Sequence, residues 1–478
     1  MLWLCIALPR LPLEAMQACD EARATVVTAC EGSARWVICC NPVAADAGLT
    51  AGMNYSTALA IHPEVTMVER SVKAEKAALE RLAAWAYQFS GAVIIGEIAA
   101  ELRHARSSCL WLEIGASLKL FGGFRSLIER FERELQSLHY TYRLGVGPTL
   151  EGAALLARAG IRLAITTKEA LHQRIRDLPI SQLCFAPDIA HQMHLAGVRT
   201  IGLLIELPRD GVARRFGPEI SLYLDRLVGA AADPRPVYRL PARYTAHFEF
   251  EFEVRSTEAL LFSLRRMLRE FSGYLRARDT GVQRFTLTLM HREVPATTLD
   301  IGLSRPDRNS DRFFALVREQ LERIEPPAPT VGVGVGAEYF SAPYDLQPEL
   351  LGGVSREGEN LSHTLDRIAA RIGEEHVHGL KLVADHRPEA CWSKASLDES
   401  GPALRFPDRP LWLLPHPQPL ELSAMPQITS GPERIEHGWW DGGDVQRDYF
   451  IIRTSNGSDL WVYHDLQNRS WYLHGFWS

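Results

Sequence analysis

An α+β alternation of strands and helices, βαββαβ-like before a helical stretch and βαββαβ after it, constrains the fold of this chain more than any other feature. In the first run, residues 2 to 8 and 34 to 40 are apolar and β-favouring, and Leu79, Leu82, Trp85 and Phe89 give a helical spacing over 74 to 89. Residues 109 to 114 have the composition of a buried strand. Phe124, Ile128, Phe131 and Leu135 share one face of a helix over 122 to 138, followed by a strand at 142 to 147 and a small-residue helix at 150 to 159. Residues 166 to 232 read as helical, and Asp233-Pro234-Arg235-Pro236 is a stiff linker. The second run predicts strand 244 to 254, helix 257 to 274, strands 281 to 290 and 296 to 303, helix 309 to 324 and strand 332 to 338. Both runs are α+β.

Beyond 340 the chain is rich in loop residues, with one helix expected around 360 to 373. Residues 450 to 454 and 460 to 463 flank Ser455-Asn456-Gly457-Ser458, a hairpin signal, because Asn-Gly tolerates the positive φ of a tight turn. Ten aromatics lie between 439 and 478. They serve either as the core of a small module that needs large side chains or as a surface that docks a partner, and both readings stay open.

At 478 residues the chain predicts two to four domains. With 46% hydrophobic and 23% charged residues and a formal charge of −6, it is neither collagenous, wholly disordered nor disulfide-stapled. Its eight Cys include no Cys-x-x-Cys pair, which places it in a reducing cytoplasm. No stretch approaches the ~18–20 apolar residues of a membrane span, and residues 1 to 8 read as a first strand, not a signal. Only six of the 52 cations are Lys, a bias that suits bidentate phosphate contacts, but the net charge alone gives no nucleic-acid footprint.

Three segments carry a resemblance to the Y-family translesion DNA polymerases. They are Leu4-Cys5-Ile6-Ala7-Leu8-Pro9, Ala45-Asp46-Ala47-Gly48-Leu49-Thr50-Ala51-Gly52-Met53, and Leu112-Glu113-Ile114-Gly115-Ala116-Ser117-Leu118-Lys119-Leu120-Phe121-Gly122. The resemblance implies an α+β multidomain right hand: palm-like 1–10 and 70–165, fingers-like 11–69, helical thumb 166–232, linker 233–243 and a βαββαβ little finger over 244–340. A loop at 341–357, a helical and mixed segment at 358–408 and a small antiparallel β module at 409–478 complete the expected domains.

Polymerases of this family hold two Mg2+ ions on carboxylates, because hard oxygen ligands both bind the metal and neutralise the charge of phosphoryl transfer. Where the resemblance aligns those carboxylates, this chain has Ala7, Pro9, Ser108 and Cys109. The steric-gate aromatic aligns with Pro12, the triphosphate-gripping Tyr and Arg with Pro42 and Ala45, and the palm Asn-Lys with Thr149 and Leu150. Metal ligands and phosphate clamps cannot be replaced by such side chains. The expectation is a protein without catalytic residues, metal or cofactor; the alternative is an active polymerase with displaced carboxylates, Glu14 among them. A third possibility is a DNA-binding repair factor that never uses the sliding clamp.

Residues 383 to 389, 409 to 414 and 431 to 440 extend the resemblance to a catalytically degenerate branch of the family found in bacterial SOS mutasomes. That branch implies an adaptor that brings an error-prone C-family DNA polymerase and a RecA-like accessory protein to a lesion on the sliding clamp. Gln347, Pro348, Glu349, Leu350 and Leu351 look like a clamp-binding peptide, in which an amide makes backbone hydrogen bonds and two Leu fill an apolar pocket. For the DNA backbone, Arg265, Arg266, Arg269, Arg276 and Arg278 lie opposite or just beyond the apolar stripe of helix 257 to 274, as phosphate contacts or as a solvated face. Carboxylates at 249, 251 and 253 share one strand face, predict pairing with Arg284 or Arg292, and make DNA affinity modest.

Overall fold

The computed structural model describes residues 1–16, 23–98, 108–343, 356–396, 399, 401, 408–421, 427–454 and 457–477. The chain divides into two bodies, Met1–Arg371 and Ile372–Ser478.

The first sheet of the larger body is antiparallel and runs Val93–Ile95, Ser108–Glu113, Trp3–Leu8, Arg143–Gly147. Trp3–Leu8 is central, and its side chains alternate between two covered faces. Leu4, Ile6 and Leu8 pack with Leu79, Leu82 and Phe131 from helices Val72–Ala86 and Phe124–Gln136. On the opposite face, Cys5 and Ala7 meet Ala153, Ala154 and Ala157 of helix Leu150–Arg158. That helix is small-faced because it lies close to the sheet: a Cβ on Gly145 would sit 2.3 Å from the Ala153 carbonyl oxygen.

Ala34–Cys40 is a strand as expected, but in a separate sheet, beside Thr25–Glu31, which also pairs in parallel with Thr66–Glu69. Helices from Lys168–Ile175 to Pro218–Val228 follow, around Leu171, Ile175, Leu204 and Leu224.

The second α+β run forms an antiparallel sheet in the order Thr297–Asp307, Val282–His291, Thr330–Ala337, Tyr244–Val254. Helices Thr257–Ala277 and Ser310–Arg323 close it, with Leu264, Leu268, Phe271 and Phe313 meeting Phe285, Leu287 and Val335. Helix Arg356–Ile372 joins this core through Ala370, and its Asp366 accepts from the Ser304 amide at 2.9 Å and pairs with Arg312.

In the smaller body, Gly379–Leu382 pairs with Trp392–Ala395. A five-stranded antiparallel sheet follows in the order Trp412–Pro419, Trp471–Phe476, Asp459–Asp465, Val445–Arg453, Gln427–His437. The expected hairpin joins Val445–Arg453 to Asp459–Asp465, with Gly457 at φ 88°. Ile435, Tyr449, Trp461 and Tyr463 form the core.

Candidate functional site

The positions aligned with metal-binding carboxylates converge in the structure. Trp3–Leu8 and Ser108–Glu113 are neighbouring strands, in a register that sets Ala7 opposite Cys109 and Leu8 opposite Ser108. Two carboxylates at Ala7 and Cys109 would therefore share a strand pair, but the side chains present are a methyl and a thiol, both buried with Cys5 beneath the Ala-rich helix. Burial pushes the Cys5 thiol well up, and a hydrogen bond links it to Cys109. Pro9 lies just past the strand, where its carbonyl accepts from the Cys39 thiol at 3.7 Å.

These residues do not fit a pair of Mg2+ ions. A hard dication needs several oxygen ligands at a wet or polar site, and this strand pair offers an apolar wall. Among the described residues no group of three His, Cys, Asp or Glu is placed to hold a metal ion.

Described acids of this region have structural partners, beginning with Glu151, whose charge acts on both thiols and which pairs with Arg235. Glu113 Oε1 accepts from the amides of Leu2 and Gly115 at 2.9 and 3.1 Å, and Oε2 from Ala116 at 3.1 Å. Glu14, on the short helix Leu11–Glu14, is buried and accepts from the Thr141 amide at 2.9 Å. Burial raises its carboxyl above the ordinary range, against the pull of the Thr141 hydrogen bonds. Pro12 lies in that same helix, and Pro42 and Ala45 in helix Pro42–Asp46, capped by Asn41. Thr149 caps helix Leu150–Arg158 through the Gly152 amide, 3.0 Å away, and Leu150 is core.

The arginines of helix Thr257–Ala277 separate into two kinds. Arg266 is a correction: it is buried, donates to the Glu14 carbonyl at 3.1 Å and lies 4.8 Å over the Tyr140 ring, so it cannot meet DNA. The reason is that this helix is covered on two sides, by its own sheet and by helix Val72–Ala86. Arg81 and Glu270 form a buried ion pair at 2.9 Å between the two helices, and Tyr140 donates to Glu270 at 3.1 Å. Arg269 donates to the Ser137 carbonyl, and Arg276 faces Glu134 at 3.3 Å. Arg265 is exposed and lies 4.3 Å over the Phe314 ring; Arg278 is exposed and donates to the Pro241 carbonyl at 2.9 Å.

Sequence reasoning missed the buried Arg81–Glu270–Tyr140 group. The available signal was Gly273 on the second helix face, where a Cβ would lie 2.3 Å from the Trp85 ring. Of the acidic strand, Glu249 faces Lys73 at 3.3 Å and Glu253 faces Arg292 at 3.8 Å. Gln347, Pro348, Glu349, Leu350 and Leu351 lie outside the described residues.

Residues 15–158 match the protein family described as IMS, the impB/mucB/samB family. Over 463 residues the chain is 26% identical to "Protein ImuB" of Caulobacter vibrioides strain NA1000 / CB15N, an alignment that spans 90% of this chain and 99% of that protein. The ImuB of strain ATCC 19089 / CIP 103742 / CB 15 matches to the same extent. The chain is thus similar to ImuB over nearly its whole length. Among solved structures, DinB from Sulfolobus solfataricus and the insertion ternary complex of Dbh DNA polymerase are each 15% identical with a TM-score of 0.40, covering 70% of this chain and 98% of theirs. No helix of the described residues is long and apolar enough to cross a membrane.

Proposed function

We propose that this chain is an ImuB-like protein, a non-catalytic, polymerase-like adaptor. It binds the sliding clamp and recruits an error-prone C-family polymerase and a RecA-like accessory protein for translesion synthesis and damage-induced mutagenesis, in the cytoplasm and on nucleoid DNA. The observation that carries this reading is the strand pair at Ala7 and Cys109, where an alanine and a buried thiol occupy the positions that a two-metal site needs for carboxylates. Among the described acids, Glu14 and Glu113 are already engaged by backbone amides and Glu151 by Arg235, which speaks against an active enzyme built on those carboxylates.

A protein without chemistry acts by tethering: clamp binding raises its effective concentration at DNA, and an attached polymerase inherits that proximity. Gln347, Leu350 and Leu351 are the proposed anchor, beside Pro348 and Glu349. Partner docking falls to the smaller body, where Leu411, Trp412, Trp439 and Trp440 are exposed. Exposed Arg265 and Arg278 are the proposed contacts to the DNA backbone, since Arg266 is buried, Arg269 is half-buried and Arg276 faces the Glu134 carboxylate, whereas Arg278 is held by a neutral carbonyl.

The experiment is clamp binding by the full chain with Gln347, Leu350 and Leu351 all replaced by Ala. Burying each Leu is worth ~1.5–3 kcal/mol before ordering costs, so the triple variant should lose the clamp and, in cells, damage-induced mutagenesis. Retained clamp binding would place the anchor elsewhere, and lost binding with mutagenesis intact would refute tethering.

A further inference from the structure

Two thiols that the adaptor reading leaves unused meet beneath the Ala-rich helix. Cys5 stands opposite Trp111 and Ala7 opposite Cys109, so Cys5 and Cys109 are diagonal neighbours on one face of adjacent strands. The right-handed twist of a strand pair draws one of its two diagonals together, and here the two sulfurs meet in a hydrogen bond. Above them helix Leu150–Arg158 presents Ala153, Ala154 and Ala157, methyl groups in place of longer side chains. A disulfide would take those sulfurs from contact to about 2.05 Å, across strands that the sheet already holds side by side.

The two sulfurs are unequal. Burial holds Cys5 as a thiol, and the hydrogen bond it shares favours the thiolate of Cys109, which also feels the charges of Arg158 and Arg235 against burial and Glu151. Other shifted thiols among the described residues move the opposite way: burial pushes Cys40 up to about 11 and raises Cys391. Cys109 keeps 6% exposure where Cys5 has none. A nucleophile nearer the surface with a second thiol directly behind it is the arrangement of an attacking and a resolving cysteine.

We propose that Cys5 and Cys109 are a peroxide-reactive pair that closes into a reversible disulfide. The Cys109 thiolate attacks one oxygen of hydrogen peroxide, the O–O bond breaks and hydroxide leaves, with a sulfenic acid formed on Cys109. The Cys5 thiol then gives up its proton, its sulfur attacks the Cys109 sulfur, and the S–O bond breaks. Each departing hydroxide takes up one thiol proton, so two thiols lose two electrons and two protons and the peroxide becomes two waters. A small-molecule thiol reverses the bond, which in a reducing compartment makes it a transient response to oxidant, not a staple. The proposal goes beyond the adaptor reading and does not depend on it, because it uses neither the clamp peptide nor the smaller body.

The test treats the reduced, full-length chain with hydrogen peroxide, blocks the remaining thiols with N-ethylmaleimide in denaturant and maps the peptides by mass spectrometry. The expected product is a cross-linked pair holding Cys5 and Cys109, lighter by two hydrogens than the free peptides and split by dithiothreitol. Cys5→Ala places on this face the side chain that Ala7 already carries there. It should abolish the cross-link and leave the Cys109 sulfenic acid to be trapped by dimedone, a signature that a merely structural thiol pair would not give. Should that variant fail to fold, the wild-type map decides alone. Recovery of Cys5 and Cys109 as maleimide adducts when the exposed Cys30 is already oxidised would overturn the proposal. So would a bond from either to a different cysteine, or a cross-link that forms only in a parallel sample unfolded in urea.

Discussion

The central sheet of the larger body and the five-stranded sheet of the smaller one solve the same problem with different chemistry. In the first, helices cover both faces, so the strand interior is aliphatic: Leu4, Ile6, Leu8, Leu110 and Leu112 are buried with no charged partner in that core. Among its described residues the smaller body has no α-helix, and its sheet must make a face from large amphipathic side chains. Tyr449 and Trp461 stack at 4.2 Å, Arg409 lies 4.9 Å over Trp461 and Arg447 4.7 Å over Tyr463. His474 is buried among them, its Nδ1 hydrogen-bonded to the Tyr449 hydroxyl at 2.8 Å. Covered sheets can be indifferent to pH; a sheet built from such side chains cannot.

The largest effect should come where the larger body does bury charge. Glu270→Ala leaves Arg81 unpaired between two helices and should cost about 3–5 kcal/mol in urea unfolding. Adding Arg81→Met should restore a substantial part of it. If the double variant is no more stable than the single one, the pair is not the reason for the loss.

A smaller effect separates the two bodies by pH. Burial lowers His474 to about 4, below its ordinary 6.5, so the unfolded chain takes up the proton first and stability falls as pH drops from 6.5 towards 4. The loss in the smaller body should approach ~3 kcal/mol, and His474→Gln should flatten it. Glu14 works in the opposite sense. Its raised pKa means that the charged form is disfavoured in the folded state, so this group favours folding most at low pH and that contribution is lost as pH rises through the folded pKa. Glu14→Gln should therefore stabilise the larger body at neutral pH. Thermal unfolding with pH, resolved for the two bodies, checks both signs, and parallel pH profiles would break the contrast.

The smallest effect concerns DNA. Arg265→Glu with Arg278→Glu should weaken oligonucleotide binding and reduce its salt slope by about two, one for each phosphate no longer neutralised. The same change at buried Arg266 should instead lower the melting temperature. An Arg265 and Arg278 pair that changes neither affinity nor slope would reduce that face to solvated surface.

What the sequence could and could not convey follows from range. Tyr244–Val254 has the bounds that its alternation suggests, because a half-covered strand writes its pattern locally. Val93–Ile95 is too short to carry any period, and Thr66–Glu69 is defined by a parallel pairing with Thr25–Glu31 that nothing local encodes. The Ala7–Cys109 pairing is a long-range register that no local pattern writes; the resemblance only aligns the two positions with carboxylates. The burial of Arg266 was not legible either, because one apolar stripe accounts for one helix face, and only Gly273 hinted at the second.

A non-catalytic role rests most heavily on Ala7, Pro9, Ser108 and Cys109, and primer extension by the purified chain with Mg2+ or Mn2+ tests it most directly. The expected result is no nucleotide incorporation above a no-protein control at any metal concentration. Reproducible synthesis that co-purifies with the chain through further steps would contradict it, and would mean that carboxylates elsewhere assemble the metal site.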